Sequence, residues 1–239
     1  MTSKGVDGKF GAKLKIENFN IDKLQATTSG RIIAETSVKD IIPNIKLGFK
    51  LEEGLPGSGN PKGSINATYT HNLATIFSEI DVVDGPTLYE SISFEYEGIL
   101  AGAEIKYNTN ANGNGKESGL SDVGGLIGYK TSDLTASIQS SKKGKGINLS
   151  LNKILNPETT IAVLIDAKTE GKLDSFTVGG IYKLDKETSF AGKVNSKGEV
   201  TASYTQIIKP GVKLVASAGV DTKNFAGDDH KFGLQLILG

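Results

Sequence analysis

The sequence predicts an all-β chain, a single transmembrane up-and-down barrel of about 17 antiparallel strands, formed as one domain over residues 1–239. Three observations predict it. Apolar and polar residues alternate with a period of two over stretches of about nine residues. Turn residues punctuate those stretches on a short rhythm. No apolar run approaches the ~20 residues of a membrane-spanning helix, and the most apolar run, from Ile161 to Ile165, is only strand-sized.

The alternation can be followed along the chain. Phe10, Ala12, Leu14 and Ile16 point one way, and Gly11, Lys13, Lys15 and Glu17 the other. Ile45, Leu47, Phe49 and Leu51 oppose Lys46, Gly48, Lys50 and Glu52. Val212, Leu214, Ala216, Ala218 and Val220 oppose Lys213, Val215, Ser217, Gly219 and Asp221. The helical period of 3.6 fits none of these segments. Between such runs stand Asp84-Gly85-Pro86, Asn112-Gly113-Asn114-Gly115, Asn156-Pro157, Lys197-Gly198, Lys209-Pro210-Gly211 and Ala226-Gly227-Asp228. Residues 142–146 and the Gly/Asn-rich stretch 108–119 read as loops between strands.

Composition favours a wet interior over a packed one, with a soluble β-repeat or adhesin-like protein as the rival reading of the same alternation. A soluble sandwich of this length fills one core from two inner faces and needs large apolar residues. Here Trp is absent, Gly reaches 30 residues, and the polar faces carry Ser, Thr, Asn and Lys. Lys plus Arg and Asp plus Glu both total 27, so no net field points to nucleic acid. Without Cys there is no disulfide frame or thiolate metal site, and His71 and His230 lie too far apart in sequence to suggest a metal centre. The first residues lack both a secretory apolar region and the Arg-rich pattern of a transit peptide.

Catalytic motifs fail on inspection. Gly57-Ser58-Gly59-Asn60-Pro61-Lys62-Gly63-Ser64 imitates a phosphate loop, but lacks its Gly-Lys-Ser/Thr ending and precedes a strand. Asn66-Ala67-Thr68 and Asn148-Leu149-Ser150 match the glycosylation sequon inside expected strands, as chance would produce. Asp228-Asp229-His230 reads as a solvated loop end. No nucleophile–base–orienter set can be assembled; neither an enzyme nor a cofactor is expected. The informative charges are those opposite apolar neighbours: Lys13, Lys15, Lys46, Lys50, Lys193 and Lys213, with Arg31 and Lys106. In a barrel they would line the lumen, because Lys facing lipid at mid-membrane costs ~2–4 kcal/mol. Glu17, Glu52, Glu104, Asp166 and Asp221 would offset part of their field.

Residues 182–239 hold the most specific pattern. It runs through Tyr182-Lys183-Leu184-Asp185, Ala191-Gly192-Lys193-Val194-Asn195 and Thr201-Ala202-Ser203-Tyr204-Thr205-Gln206. Lys209-Pro210-Gly211-Val212-Lys213-Leu214, Asp221-Thr222-Lys223-Asn224-Phe225 and His230-Lys231-Phe232-Gly233-Leu234 complete it. This order and spacing closely resemble the C-terminal signature of the mitochondrial porins, the voltage-dependent anion channels. Lys186 departs from it, where the family mostly carries a small or acidic residue. Tyr96-Glu97-Gly98-Ile99-Leu100-Ala101-Gly102 and Gly128-Tyr129-Lys130-Thr131 resemble two further family segments. Pro43-Asn44-Ile45-Lys46-Leu47 occupies the place of the family's Gly-Leu-Lys motif in degraded form.

The resemblance implies a multi-pass barrel of the mitochondrial outer membrane that passes small anions and nucleotides by diffusion. It places Lys193 and Lys213 in the pore, and it makes Lys231, Gly233, Leu236 and Leu238 the sorting signal read on barrel precursors. Phe10, Leu14, Leu47, Phe49, Leu214, Leu236 and Leu238 are expected to face membrane lipid. The family's barrel is established at 19 strands, a count belonging to the family and not read from this sequence. Its members open on an amphipathic pore helix and two strands with no evident counterpart here, since the stretch from Met1 to Lys9 has no amphipathic period. A wider, less voltage-sensitive pore is the expectation, with an odd strand count that pairs first and last strands in parallel. The alternatives are a barrel subunit of the outer-membrane protein translocase and a non-conducting structural subunit. A homo-oligomer or a larger outer-membrane complex is compatible with each.

Overall fold

The computed structural model describes residues 8–53, 61–83, 86–109, 118–141, 143–225 and 230–238. Met1 to Asp7, Gly57-Ser58-Gly59-Asn60 of the stretch imitating a phosphate loop, Asp84-Gly85, Lys142 and Ala226-Gly227-Asp228-Asp229 lie outside the described residues, as do residues 110–117 of the Gly/Asn-rich stretch. Seventeen strands and no membrane-length helix are found among the described residues.

The first eight strands are β1 (Lys9–Ile16), β2 (Phe19–Thr27), β3 (Ile32–Ile42), β4 (Ile45–Glu53), β5 (Lys62–Thr70), β6 (Ala74–Asp81), β7 (Thr87–Tyr96) and β8 (Ile99–Asn108). Then come β9 (Gly119–Lys130), β10 (Leu134–Ser141), β11 (Gly146–Ile154), β12 (Thr159–Lys168) and β13 (Leu173–Lys183). The series ends with β14 (Thr188–Asn195), β15 (Glu199–Lys209), β16 (Val212–Asp221) and β17 (Lys231–Leu238). All seventeen belong to one sheet. Consecutive strands pair antiparallel from β1 through β7. They do so again from β9 through β17.

Two compact units divide the chain. One comprises Met1–Tyr96 and Gly102–Gly124, the other Glu97–Ala101 and Gly125–Gly239. β1 to β7 lie in the first unit, and β10 to β17 in the second.

Short turns fix the register. Between β7 and β8, Glu97 (φ 48°) and Gly98 (φ 83°) both take positive φ, as a two-residue hairpin of type I′ requires. Gly98 has a second constraint, since a Cβ there would stand 2.5 Å from the Lys130 carbonyl oxygen. Between β3 and β4, Pro43 precedes Asn44 at φ 64°, the residue order favoured in a type II turn.

The alternation read from sequence sets the faces, with one correction near the start. Ala12 opposes Leu24 while Leu14 opposes Ile21, so Lys13 faces a bulge formed by Asp22 and Lys23. Strict alternation from Phe19 and Ile21 would turn Lys23 to the apolar face and Leu24 and Ala26 to the polar one. The extra residue reverses the parity and restores Leu24 and Ala26 to the apolar side.

No hydrophobic residue is buried among the described residues. Large apolar side chains stand in the open instead, Phe10 at 79% and Phe232 at 81% exposure. Sheets in water hide one apolar face; this one hides neither.

Candidate functional site: the polar face of the sheet

Directly opposed residues on neighbouring strands share a face, so the register assembles the site row by row. In the first unit Lys15 opposes Asn20, which opposes Ser37, then Gly48, Asn66, Glu79 and Tyr89. The adjacent row runs Lys23, Glu35, Lys50, Ser64, Asp81, Thr87. On the other side Lys39, Lys46, Thr68, Phe77 and Ser91 align.

Lys13, Lys15, Lys46 and Lys50 are brought together. They line one recess of about 740 Å³ with Asn20, Ser37 and Asn66. Gly48 makes the floor, because a Cβ at that position would collide with the Asn66 amide. Ser37 is only 1% exposed there, and its hydroxyl has no hydrogen-bond partner among the described residues.

Acids neutralise part of this cluster. Lys46 Nζ stands 3.7 Å from Asp22 Oδ2, and Lys23 Nζ 4.0 Å from Glu35 Oε1. Arg31 pairs with Glu52. Lys13, Lys15 and Lys50 have no ion pair among the described residues. Sequence reasoning treated the four lysines alike; the register separates the one with a counter-ion from the three without. Further along, the Tyr89 hydroxyl donates to Glu104 Oε2 at 2.7 Å, placing both on the polar face.

The second unit places Lys193 and Lys213 on its polar face, but apart. Lys193 opposes Gly179 on one side and Thr201 on the other, and Thr201 opposes Gly219. Gly219 is six residues along β16 from Lys213, which at ~3.4 Å per residue is roughly 20 Å. Lys213 itself lies between Ile207 and Ile237. Most of this face is neutral. Ser137 and Ser150 share a hydrogen bond of 2.7 Å, and Ser203 opposes Ser217.

In the last strand Lys231 and Gly233 oppose Gly219 and Ser217 on the polar face, while Leu236 and Leu238 oppose Leu214 and Val212 on the apolar face. A Cβ at Gly233 would come within 2.8 Å of the Ser217 hydroxyl. Phe10 and Leu14 in β1, Leu47 and Phe49 in β4, and Leu214 in β16 all lie on apolar rows.

Turns outside the strands are tied by carboxylates. The Glu187 and Thr188 backbone amides donate to Asp185 Oδ1 at 2.7 and 2.6 Å, and these donors hold its carboxyl below the usual range. The Lys153 ammonium, then the Thr131 hydroxyl, do the same for Asp133, with Lys153 Nζ 2.6 Å from Oδ2.

One sheet of amphipathic strands, charged or hydroxylated on one face, apolar on the other and with no buried apolar core among the described residues, defines a porin-class membrane protein. The chain belongs to the eukaryotic porin family, whose model matches residues 1–233. It is 31% identical to the rabbit (Oryctolagus cuniculus) non-selective voltage-gated ion channel VDAC3, over 97% of this chain and 80% of that protein. The pig (Sus scrofa) protein of the same name is 34% identical, over 81% and 70%. The voltage-dependent anion-selective channel of Drosophila melanogaster is 27% identical, over 98% and 81%. Among solved structures, a triple mutant of Rhodopseudomonas blastica porin matches with a TM-score of 0.61 and 11% identity, covering 97% of this chain and 96% of that one. That likeness is one of fold.

Proposed function

We propose that this chain is a voltage-dependent channel of the mitochondrial outer membrane, passing small ions and metabolites such as nucleotides by passive diffusion with a mild preference for anions. The observation that carries this reading is a seventeen-stranded sheet with no buried apolar residue among the described ones. Only hydrocarbon covers such an apolar face at no cost. Backbone groups at an open edge go unsatisfied in lipid, so the strands close on themselves. With seventeen strands joined up and down, β1 and β17 then meet in parallel.

The polar face becomes the wall of a water-filled lumen. Lys13, Lys15, Lys46, Lys50, Lys193 and Lys213 raise the local anion concentration there, and salt confines their field to ~8–10 Å. Acids beside Lys46 and Lys23 keep the preference mild. The relatives' names bracket this expectation, one non-selective and one anion-selective. Lys231, Gly233, Leu236 and Leu238 serve as the sorting signal, and the chain acts by conduction, without bond chemistry. Bilayer lipid is its surrounding partner. Purified full-length chain reconstituted into planar bilayers should give discrete, ohmic conductance steps at low voltage. A chain that inserts into bilayers and carries no current would sink the proposal in favour of a structural role.

A further inference from the structure

Charges of both signs line the first unit's recess without pairing. Lys13, Lys15 and Lys50 have no ion pair among the described residues, and neither has Glu79, whose carboxyl also accepts no hydrogen bond there. The other ions of the recess are already matched, Lys46 by Asp22 at 3.7 Å and Glu35 by Lys23 at 4.0 Å. A neutral polar strip keeps the unpaired ammoniums from the unpaired carboxylate. From Lys15 in β1 the row runs through Asn20, Ser37, Gly48 and Asn66 before it reaches Glu79 in β6. Lys50 in β4 is nearer to Glu79, two strands away, which is about 10 Å across the sheet.

The strip between them holds donors and acceptors that the protein leaves unused. Ser37 is 1% exposed, and its hydroxyl has no partner among the described residues. A hydroxyl unbonded at that depth is destabilising until another group reaches it. Gly48 admits the Asn66 amide where a Cβ would stand, and the Asn66 side chain makes no hydrogen bond among the described residues. An ammonium, a polar hollow and a carboxylate, in that order, are complementary to a solute with the opposite sign at each end. A simple anion meets attraction from Lys50 and repulsion from Glu79, and a simple cation meets the reverse.

We propose that this recess is a seat for dipolar solutes, amino carboxylates whose two charges are separated by several methylenes. The carboxylate end lies beside Lys50, within the field of Lys13 and Lys15, and the ammonium end faces Glu79. Ser37 and Asn66 supply hydrogen bonds between the two ends. The proposal rests on the channel reading above and adds to it a class of metabolite that the wall retains during passage. Charge spacing sets the preference. In an α-amino acid the two charges flank a single carbon and cannot face Lys50 and Glu79 together, whereas a longer chain can.

Titration of the Gly48 and Asn66 amide shifts tests it, in the full chain reconstituted into phosphatidylcholine nanodiscs, with conductance recorded on the same preparation in planar bilayers. The probes are ε-aminocaproate, caproate, hexylammonium and glycine. The unmodified chain should bind ε-aminocaproate about fivefold more tightly than caproate, the upper range for one exposed ion pair, and should bind glycine more weakly than ε-aminocaproate. Glu79→Gln should erase the difference between ε-aminocaproate and caproate, and Ser37→Ala should weaken both. A conducting chain that binds caproate or glycine as tightly as ε-aminocaproate overturns the proposal and leaves the channel reading standing. A difference that survives Glu79→Gln does the same. Should that variant fail to insert, hexylammonium decides on the unmodified chain: binding as tight as that of ε-aminocaproate contradicts the assignment. A chain that inserts without conducting overturns both readings.

Discussion

The two units build the same two-faced sheet and charge it differently. Along β1 to β6 the polar face carries Lys13, Lys15, Lys46 and Lys50 against Asp22, Glu35, Glu79 and Asp81. Along β10 to β16 the equivalent positions are Ser137, Gln139, Asn148, Ser150, Ser203 and Ser217, with Lys193 the charge nearest mid-strand. Hydroxyls and amides keep a wall wet without giving it a sign. Under the proposed function, selectivity is therefore expected to reside in the first unit, where Lys13, Lys15 and Lys50 have no ion pair among the described residues. The apolar faces differ as well. In the second unit Gly180, Gly192, Ala202 and Ala218 form one row, opposed at its ends by Ile161 and Phe232, whereas the first unit carries the Ser78–Glu90 pair.

The largest expected effect contrasts the faces themselves. Ala216→Arg places a charge on an apolar row beside Tyr204 and Leu234, while Ser217→Arg, one residue on, places it on the polar row. The first should cost ~2–4 kcal/mol of stability in the bilayer, read as a lower urea midpoint in vesicles. The second should leave that midpoint nearly unchanged and raise anion preference. Equal losses would mean that the faces are misassigned.

A smaller effect separates paired from unpaired lysines. Asp22→Asn frees Lys46 from its 3.7 Å partner. An exposed pair of this kind contributes only ~0–1 kcal/mol to stability, so folding should barely change while anion preference increases. The corresponding change in the second unit, Asp166→Asn, removes the charge of the carboxylate that accepts from the Ser175 hydroxyl and should move selectivity less.

The smallest effect is in the turns. Asp185 and Asp133 have lowered folded-state values, so each contributes stability that is fully present above the ordinary carboxylate range. That contribution is lost as pH falls through the lowered value. Protection factors of the Glu187 and Thr188 amides, their exchange rates taken relative to the intrinsic rate at each pH, should therefore fall on acidification, and Asp185→Asn should remove that fall. A turn equally protected at all acidic pH values in the unmodified chain would contradict the assignment.

Much of this was legible in the sequence because strand faces repeat with a period of two. The count of about seventeen strands, the faces of Leu47, Phe49, Lys193, Lys213 and Leu214, and the turns at Lys197-Gly198 and Pro210-Gly211 needed nothing more than alternation and turn chemistry. Alternation fails at a bulge, however. The extra residue at Asp22 reverses parity within β2, and only the pairing with β1 and β3 reveals it. Ion pairing is illegible for the same reason: Lys46 meets Asp22 from two strands away, a relation set by register rather than spacing.

The central claim, a lumen whose sign is set by the first unit, is tested most directly by reversal potentials in a salt gradient across planar bilayers. Three chains are compared: unmodified, Lys15→Glu with Lys50→Glu, and Lys193→Glu with Lys213→Glu. Each pair changes the wall's charge by the same amount. The unmodified chain should favour anions mildly, the first pair should invert the sign to cation preference, and the second should only weaken anion preference. Strong cation selectivity in the unmodified chain, or equal shifts from the two pairs, would contradict the account.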